Sequence, residues 1–147
     1  MKELMNQLSD TIVYESYEAD EISYRITIKS AKDTVRCPYC GEQTHKRHSV
    51  YIKKVQDLPI QGKKVVLNIK RRTMFCSNPA CVHKTFAERF DFVNNAETRT
   101  NRLDKAITEL SVNMSSVAAS KLICKSMANI GKSTLCSMFK KINQNDC

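Results

Sequence analysis

Cys37-Pro38-Tyr39-Cys40-Gly41 and Cys76-Ser77-Asn78-Pro79-Ala80-Cys81 are two short cysteine pairs separated by 35 residues. Pairs at this spacing predict a four-thiolate zinc site. Zinc takes four soft ligands in a tetrahedron, and each tight turn supplies two of them. Pro38 stiffens the first turn, and Gly41 is free to adopt the positive φ that carries the chain around a metal. The second turn has four residues between its cysteines, wider than the usual knuckle but within ligand range. Unrelated buried thiols would need no pairing, and disulfides belong to secreted chains, which nothing here marks. Cys37, Cys40, Cys76 and Cys81 are therefore the expected ligands of one structural Zn2+, with no position open for an activated water. His83 is the substitute ligand if one cysteine is not used, while His45 and His48 read as surface or phosphate-contacting side chains.

The chain has 147 residues, room for one ordinary domain or two small ones. No apolar run suits a signal peptide or a membrane span, so no membrane partner and a reducing cytoplasm, with nucleoid association, are expected. Cys124, Cys136 and Cys147 lack ligand spacing and read as free thiols.

The net charge of +9 is unevenly spread. Residues 1–35 carry four bases and seven acids, whereas residues 44–72 carry nine bases against the single acid Asp57. Those nine, lying between the cysteine pairs, are Lys46, Arg47, Lys53, Lys54, Lys63, Lys64, Lys70, Arg71 and Arg72. A cationic span of this kind points to a polyanion, most simply double-stranded DNA.

Before the first cysteine pair, Ile22, Tyr24, Ile26 and Ile28 alternate with polar residues. With the β-branched and aromatic stretch 12–17 they predict a hairpin turning at Ala19-Asp20-Glu21. A short helix is expected over residues 2–8. Between the cysteine pairs, residues 49–56 and 63–75 predict two long strands, broken by Leu58-Pro59-Ile60-Gln61-Gly62. In the second strand Val65, Leu67, Ile69, Thr73 and Phe75 would face a core, opposite Asn68, Lys70 and Arg72. The aromatics of Thr85-Phe86-Ala87-Glu88-Arg89-Phe90 are expected beneath the metal turn.

From Thr100 the period becomes helical. Leu103, Ala106, Ile107, Leu110 and Met114 form one stripe. Ser115 or Ser116 would cap a second helix to about Met127, with Ala119, Leu122 and Ile123 inward. After Asn129-Ile130-Gly131, Ser133 would cap a third helix with Leu135, Met138, Phe139 and Ile142 inward. Three short helices with a glycine turn before the last predict a helix-turn-helix. Lys132, Ser133, Thr134, Ser137, Lys140 and Lys141 would then meet DNA. Gly131-Lys132-Ser133-Thr134 is not a phosphate-binding loop, because Ser126 stands where that loop needs glycine.

The order of these parts resembles a known family. Cys37, Pro38, Cys40 and Gly41 are followed by Val55-Gln56-Asp57-Leu58-Pro59. Then come Arg71, Arg72, Phe75, Cys76, Asn78 and Cys81, and last Thr85, Phe86 and Glu88. The pattern resembles the N-terminal zinc-binding region of the ISL-three family of insertion-sequence transposases, and the helices resemble its helix-turn-helix segment. The likeness spans roughly residues 30–142. It implies recognition of the terminal inverted repeats of an insertion sequence. Such proteins continue into a ribonuclease-H-like domain with an acidic triad. No residues of this sequence match that triad, and Asp104, Glu109 and Asp146 read as helix-surface or tail acids, so no catalysis is expected.

The expected fold is α+β: a hairpin over 1–36, a basic zinc ribbon over 37–92, a linker over 93–99 and a helix-turn-helix over 100–147. The expected function is zinc-dependent binding of double-stranded DNA. The alternative is a zinc-stabilised protein-interaction adaptor or inhibitor, whose partner is a second copy or a full-length transposase.

Overall fold

The computed structural model describes residues 1–145, apart from the side chains of Ser116, Lys132, Phe139 and residues 141–145. It is a mixed α+β structure. In order come α1 (Lys2–Asn6), β1 (Ile12–Ala19), β2 (Ser23–Ser30), β3 (Val35–Arg36), β4 (Gln43–Thr44), β5 (Arg47–Ile60), β6 (Lys63–Phe75) and β7 (Thr85–Ala87). Three further helices follow: α2 (Asn101–Asn113), α3 (Ser116–Leu122) and α4 (Lys132–Asn145). A π-helical turn, Ile123–Met127, continues α3.

The main sheet runs β1-β2-β6-β5, and β7 pairs with the far end of β6. Both hairpins expected from the sequence are present, but their junction is new. Strand β2 pairs with β6 in parallel, from Ser23↔Lys64 to Lys29↔Lys70. The N-terminal hairpin thus lies in the same sheet as the basic strands. Its turn is built by Asp20, whose carboxylate accepts from the Ile22 and Ser23 amides at 2.9 and 2.7 Å.

The β5–β6 hairpin turns later than expected, at Gln61 (φ 51°) and Gly62 (φ 76°). Two successive positive φ values make the primed turn that matches strand twist. Leu58, Pro59 and Ile60 belong to β5 instead of breaking it, with a register shift between Asp57 and Ile60. Proline is tolerated there because β5 is an edge strand and the bulge absorbs the missing amide. Gly62→Ala is expected to lower stability by about 1 kcal/mol, read as a shift in the denaturant midpoint.

Alternation in β6 holds through Val65, Leu67 and Ile69, all buried. Beyond them the expectation fails: Met74 is fully buried and Phe75 is 42% exposed. The reason is a change of neighbour. Past Lys70 the partner of β6 switches from β2 to β7, and the core switches with it. The sheet core comprises Met5, Ile12, Ile26, Ile28, Val55, Val65, Leu67, Ile69, Phe92 and Val93. The zinc-end core is smaller, with Met74 and Phe86 packed against Cys37 and Cys81. Phe86 lies beneath the metal turn as expected, whereas Phe90 joins the sheet core.

The helices share a third core of Leu103, Ile107, Ala119, Ile123, Ala128 and Leu135, which Leu58 of β5 enters. Ser115 caps α3 by accepting from Ala118 N at 3.3 Å. Met114 and Leu122, expected inward, are 37% and 39% exposed. Helix α4 starts at Lys132, one residue before the expected cap Ser133, and Leu135 N donates to Gly131 O at 3.1 Å. Phe139 and Ile142 lie outside the described side chains.

The stretch 91–99 is docked onto the sheet: Phe92 and Val93 are buried, and Gln56 exchanges backbone hydrogen bonds with Thr98 and Thr100.

Candidate metal centre and basic surface

The two cysteine turns meet because β5 and β6 bring their roots together. Strands β3 and β4 form a small ladder around the first turn, Val35↔Thr44 and Arg36↔Gln43. Within it Cys37 N donates to Glu42 O at 2.9 Å, and Gly41 N to Cys37 O at 2.8 Å, with Gly41 at φ 80°. The second turn leaves the end of β6. Cys76 N donates to Lys84 O at 2.9 Å, Cys81 N to Asn78 O at 3.1 Å, and the Asn78 side chain accepts from Ala80 N at 2.9 Å.

The four Sγ atoms of Cys37, Cys40, Cys76 and Cys81 all lie within 4.8 Å of one another, and Cys40 and Cys76 are 3.5 Å apart. Four sulfurs at about 2.3 Å from a tetrahedral zinc stand ~3.8 Å apart, so the cluster fits that ion. The four thiols also perturb one another. The Glu42 amide holds Cys40 down to about 7. At Cys76 the Asn78 amide favours thiolate, but desolvation and the neighbouring sulfurs outweigh it and push the thiol up to about 12. Burial raises Cys81 as well. Four thiolates this close repel one another unless a cation neutralises them, and bound zinc supplies that charge. Cys37 and Cys81 are buried, Cys76 half-buried and Cys40 exposed. His83 instead stacks on Tyr39, with ring centroids 3.5 Å apart.

The basic residues separate into two groups. Lys46, Arg47 and Lys54 are exposed on β5 or just before it. Most others are held by the protein itself. Lys53 donates to Asn95 O at 2.6 Å, and burial, with Arg71 nearby, lowers its pKa. Lys63 donates to Asp20 O at 2.7 Å. Lys64 ties the sheet to the helical unit through Cys124 O at 2.8 Å and Asn129 Oδ1 at 2.6 Å. Lys70 pairs with Glu15, which also takes Lys29 at 3.1 Å.

Arg71 and Arg72 are engaged within the protein. Arg71 shares the strand face of Val65, Leu67 and Ile69 and is 5% exposed. Its Nε donates to Glu88 O at 2.7 Å, and its Nη2 to Asn95 Oδ1. Arg72 grips the buried Glu88 carboxylate with two hydrogen bonds, at 2.9 and 2.7 Å, and also donates to Lys32 O. Both arginines clamp the segment after β7 onto the sheet.

On α4, Ser133, Ser137 and Lys140 are exposed and Thr134 is half-buried. Ser137 Oγ donates to Ser133 O at 3.0 Å. Lys132 and Lys141 lie outside the described side chains.

Sequence reasoning passed over two groups. Lys29 stands beside Lys70 only because β2 pairs with β6, which alternation alone does not reveal. Asp57, the one acid in the basic span and part of the Val55–Pro59 motif, was given no structural role, yet it is 1% exposed. It accepts from Thr100 Oγ1 at 2.8 Å and from Arg102 Nε at 2.7 Å, and its other oxygen meets Arg102 Nη2. That carboxylate fastens the start of α2 to β5.

The mixed α+β fold with its four-cysteine cluster suggests a zinc ribbon. Residues 33–81 match the zinc-finger family of the transposases IS204/IS1001/IS1096/IS1165. The chain is also 30% identical, over 95 residues, to the transposase for insertion sequence element IS1001 of Bordetella parapertussis. That match takes in 63% of this chain and 23% of that transposase. Both findings support the resemblance to the N-terminal region of ISL-three-type transposases. No solved structure matches the chain. No described helix is long and apolar enough to cross a membrane.

Proposed function

We propose that this chain performs the DNA-recognition task of an insertion-sequence transposase: zinc-dependent binding of duplex DNA at terminal inverted repeats. The observation that carries this reading is the four-cysteine cluster, within 4.8 Å, in a segment matching a transposase zinc finger. No strand-transfer chemistry is assigned to these residues. The buried carboxylates Asp57 and Glu88 are each occupied by an arginine.

The helical unit is read as a helix-turn-helix. Helices α2, α3 and α4 share one core, and residues 128–131 link the α3 end to α4. Burial of Leu135 against that core leaves Ser133, Ser137 and Lys140 outward, near the helix start where such proteins touch bases. Ser137→Ala with Lys140→Ala is expected to cut the preference for the terminal repeat over unrelated duplex by roughly tenfold. That is within the 1–3 kcal/mol of a good base contact. Zinc content and thermal unfolding should be unchanged. A competition binding assay at fixed salt decides it, and full retention of preference removes α4 as the reader.

One observation favours the adaptor reading. Val112 and Val117 are 63% and 64% exposed at the junction of α2 and α3. This apolar surface suits a second copy or a full-length transposase. A protein that sediments as a complex but shows no salt-dependent retention on duplex DNA would select that reading.

A further inference from the structure

The DNA-binding reading leaves open which cations hold the backbone, because Lys53, Lys63, Lys64, Arg71 and Arg72 are engaged within the protein. Two concavities at the zinc end supply others. One, about 380 Å³, lies between the first zinc turn and β7, and its cations are Lys32, Arg36 and Arg89, with Glu88 the acid. The second, about 250 Å³, opens on the sheet face and is lined by Lys29, Lys32, Arg47, Lys70 and Arg72, with Asp33 the acid. Ser30 and Lys32 line both, so the two adjoin there and are treated together as one trough.

The trough's charge is cancelled only in part. Glu88 is consumed by Arg72, and Glu15 is shared between Lys29 and Lys70. Among the described residues no carboxylate lies in ion-pair contact with Lys32, Arg36, Arg47 or Arg89. Two of these cations are set in place by the zinc turns. Arg36 Nη1 donates to Gly41 O at 3.3 Å, and the Arg89 guanidinium lies 5.8 Å over the Tyr39 ring, which stacks on His83. An arginine fork held this way loses less freedom on meeting a phosphate, and it can bind two oxygens at once.

We infer that this trough seats the phosphodiester backbone of duplex DNA, with Lys32 at its junction and Arg36, Arg89 and Arg47 gripping successive phosphates. The inference rests on the DNA-binding reading above. Arg47 of β5 lines the trough, and Gln56 further along the same strand bonds Asn129 of the helical unit, so both borders of the proposed interface lie on β5.

The test is fluorescence anisotropy of the intact, zinc-loaded chain on a short duplex of arbitrary sequence, across a salt series. Lys32→Ala/Arg36→Ala/Arg89→Ala is expected to weaken binding at least tenfold at ~0.1 M salt. It should also flatten the log–log salt slope by roughly 0.9 per lost contact, about 2 to 3 in all. Lys2→Ala/Lys105→Ala, two exposed cations outside the trough, should leave the slope unchanged. If the triple variant loses zinc, Lys32→Glu stands in for it, since the Lys32 carbonyl and not its ammonium serves Arg72. Lys32→Glu should flatten the slope by at least one. Wild-type binding with an unaltered slope in these variants overturns the trough and leaves the DNA-binding reading standing. A wild-type chain that binds no duplex at low salt overturns both.

Discussion

Chelating the zinc is expected to unfold one end of this molecule while leaving the other folded. Among the described residues the cysteine cluster is backed by Met74, Phe86 and partly buried Val35, too small a core to hold two turns together. In isolated zinc fingers the metal contributes on the order of 10 kcal/mol of apparent binding free energy, which is also folding free energy. The sheet core around Ile26, Ile28, Leu67 and Ile69 is a separate cluster that contains none of the cysteines. Hydrogen exchange should therefore show protection lost over residues 35–46 and 75–87, and retained across the β2–β6 ladder. Metal analysis should give one zinc per chain. Uniform loss of protection would mean that the zinc end and the sheet fold as one unit. An unchanged pattern would mean that the ion is dispensable. Zinc competes with protons for sulfur, so chelation should become easier as pH falls through the Cys40 value of about 7.

Asp57→Ala is expected to be the most damaging single substitution outside the cysteines. It removes a carboxylate that is 1% exposed and leaves the Thr100 hydroxyl and the Arg102 guanidinium without their acceptor. Breaking one side of a buried ion pair costs about 3–5 kcal/mol. Arg102 keeps 32% of its side-chain surface in water, so the low end of that range applies. The loss should detach the start of α2 from β5, since Thr100 also caps α2 through Leu103 N. Denaturant unfolding should show the loss. Exchange protection should fall first in α2 and its neighbours, with zinc still bound. A variant with wild-type stability would mean that Leu58 and the helical core hold the junction unaided.

The cysteine ligands were legible because metal spacing is written along the chain, and zinc tolerates few alternatives. The faces of β2 and of β6 up to Ile69 were legible for a similar reason, since alternation reports burial directly. Alternation says nothing about which strand lies alongside, so the parallel contact of Ile26 with Leu67 stayed hidden. The internal bonds of Arg71 and Arg72 were not legible, because a charge count does not show which partner waits inside, and Glu88 lies 16 residues beyond Arg72. Polar composition hid the docking of 91–99, where Phe92 and Val93 are the large apolar residues. Pro59 suggested a break because the edge position that excuses it is a property of the sheet.

The parallel junction of β2 with β6 has a consequence for how the chain reaches its final state. Ser23 meets Lys64 across about forty residues, whereas β5 and β6 close through a two-residue turn. Loop-closure entropy rises with the length enclosed, so the β5–β6 hairpin is expected to form early and the N-terminal hairpin to be added late. During synthesis the first thirty residues leave the ribosome before the strand they need exists. Until they dock, β6 presents a bare edge backed by Val65, Leu67 and Ile69, open to strands from other chains. A fragment beginning after Ser30 would carry that edge permanently and is expected to aggregate even with its zinc in place.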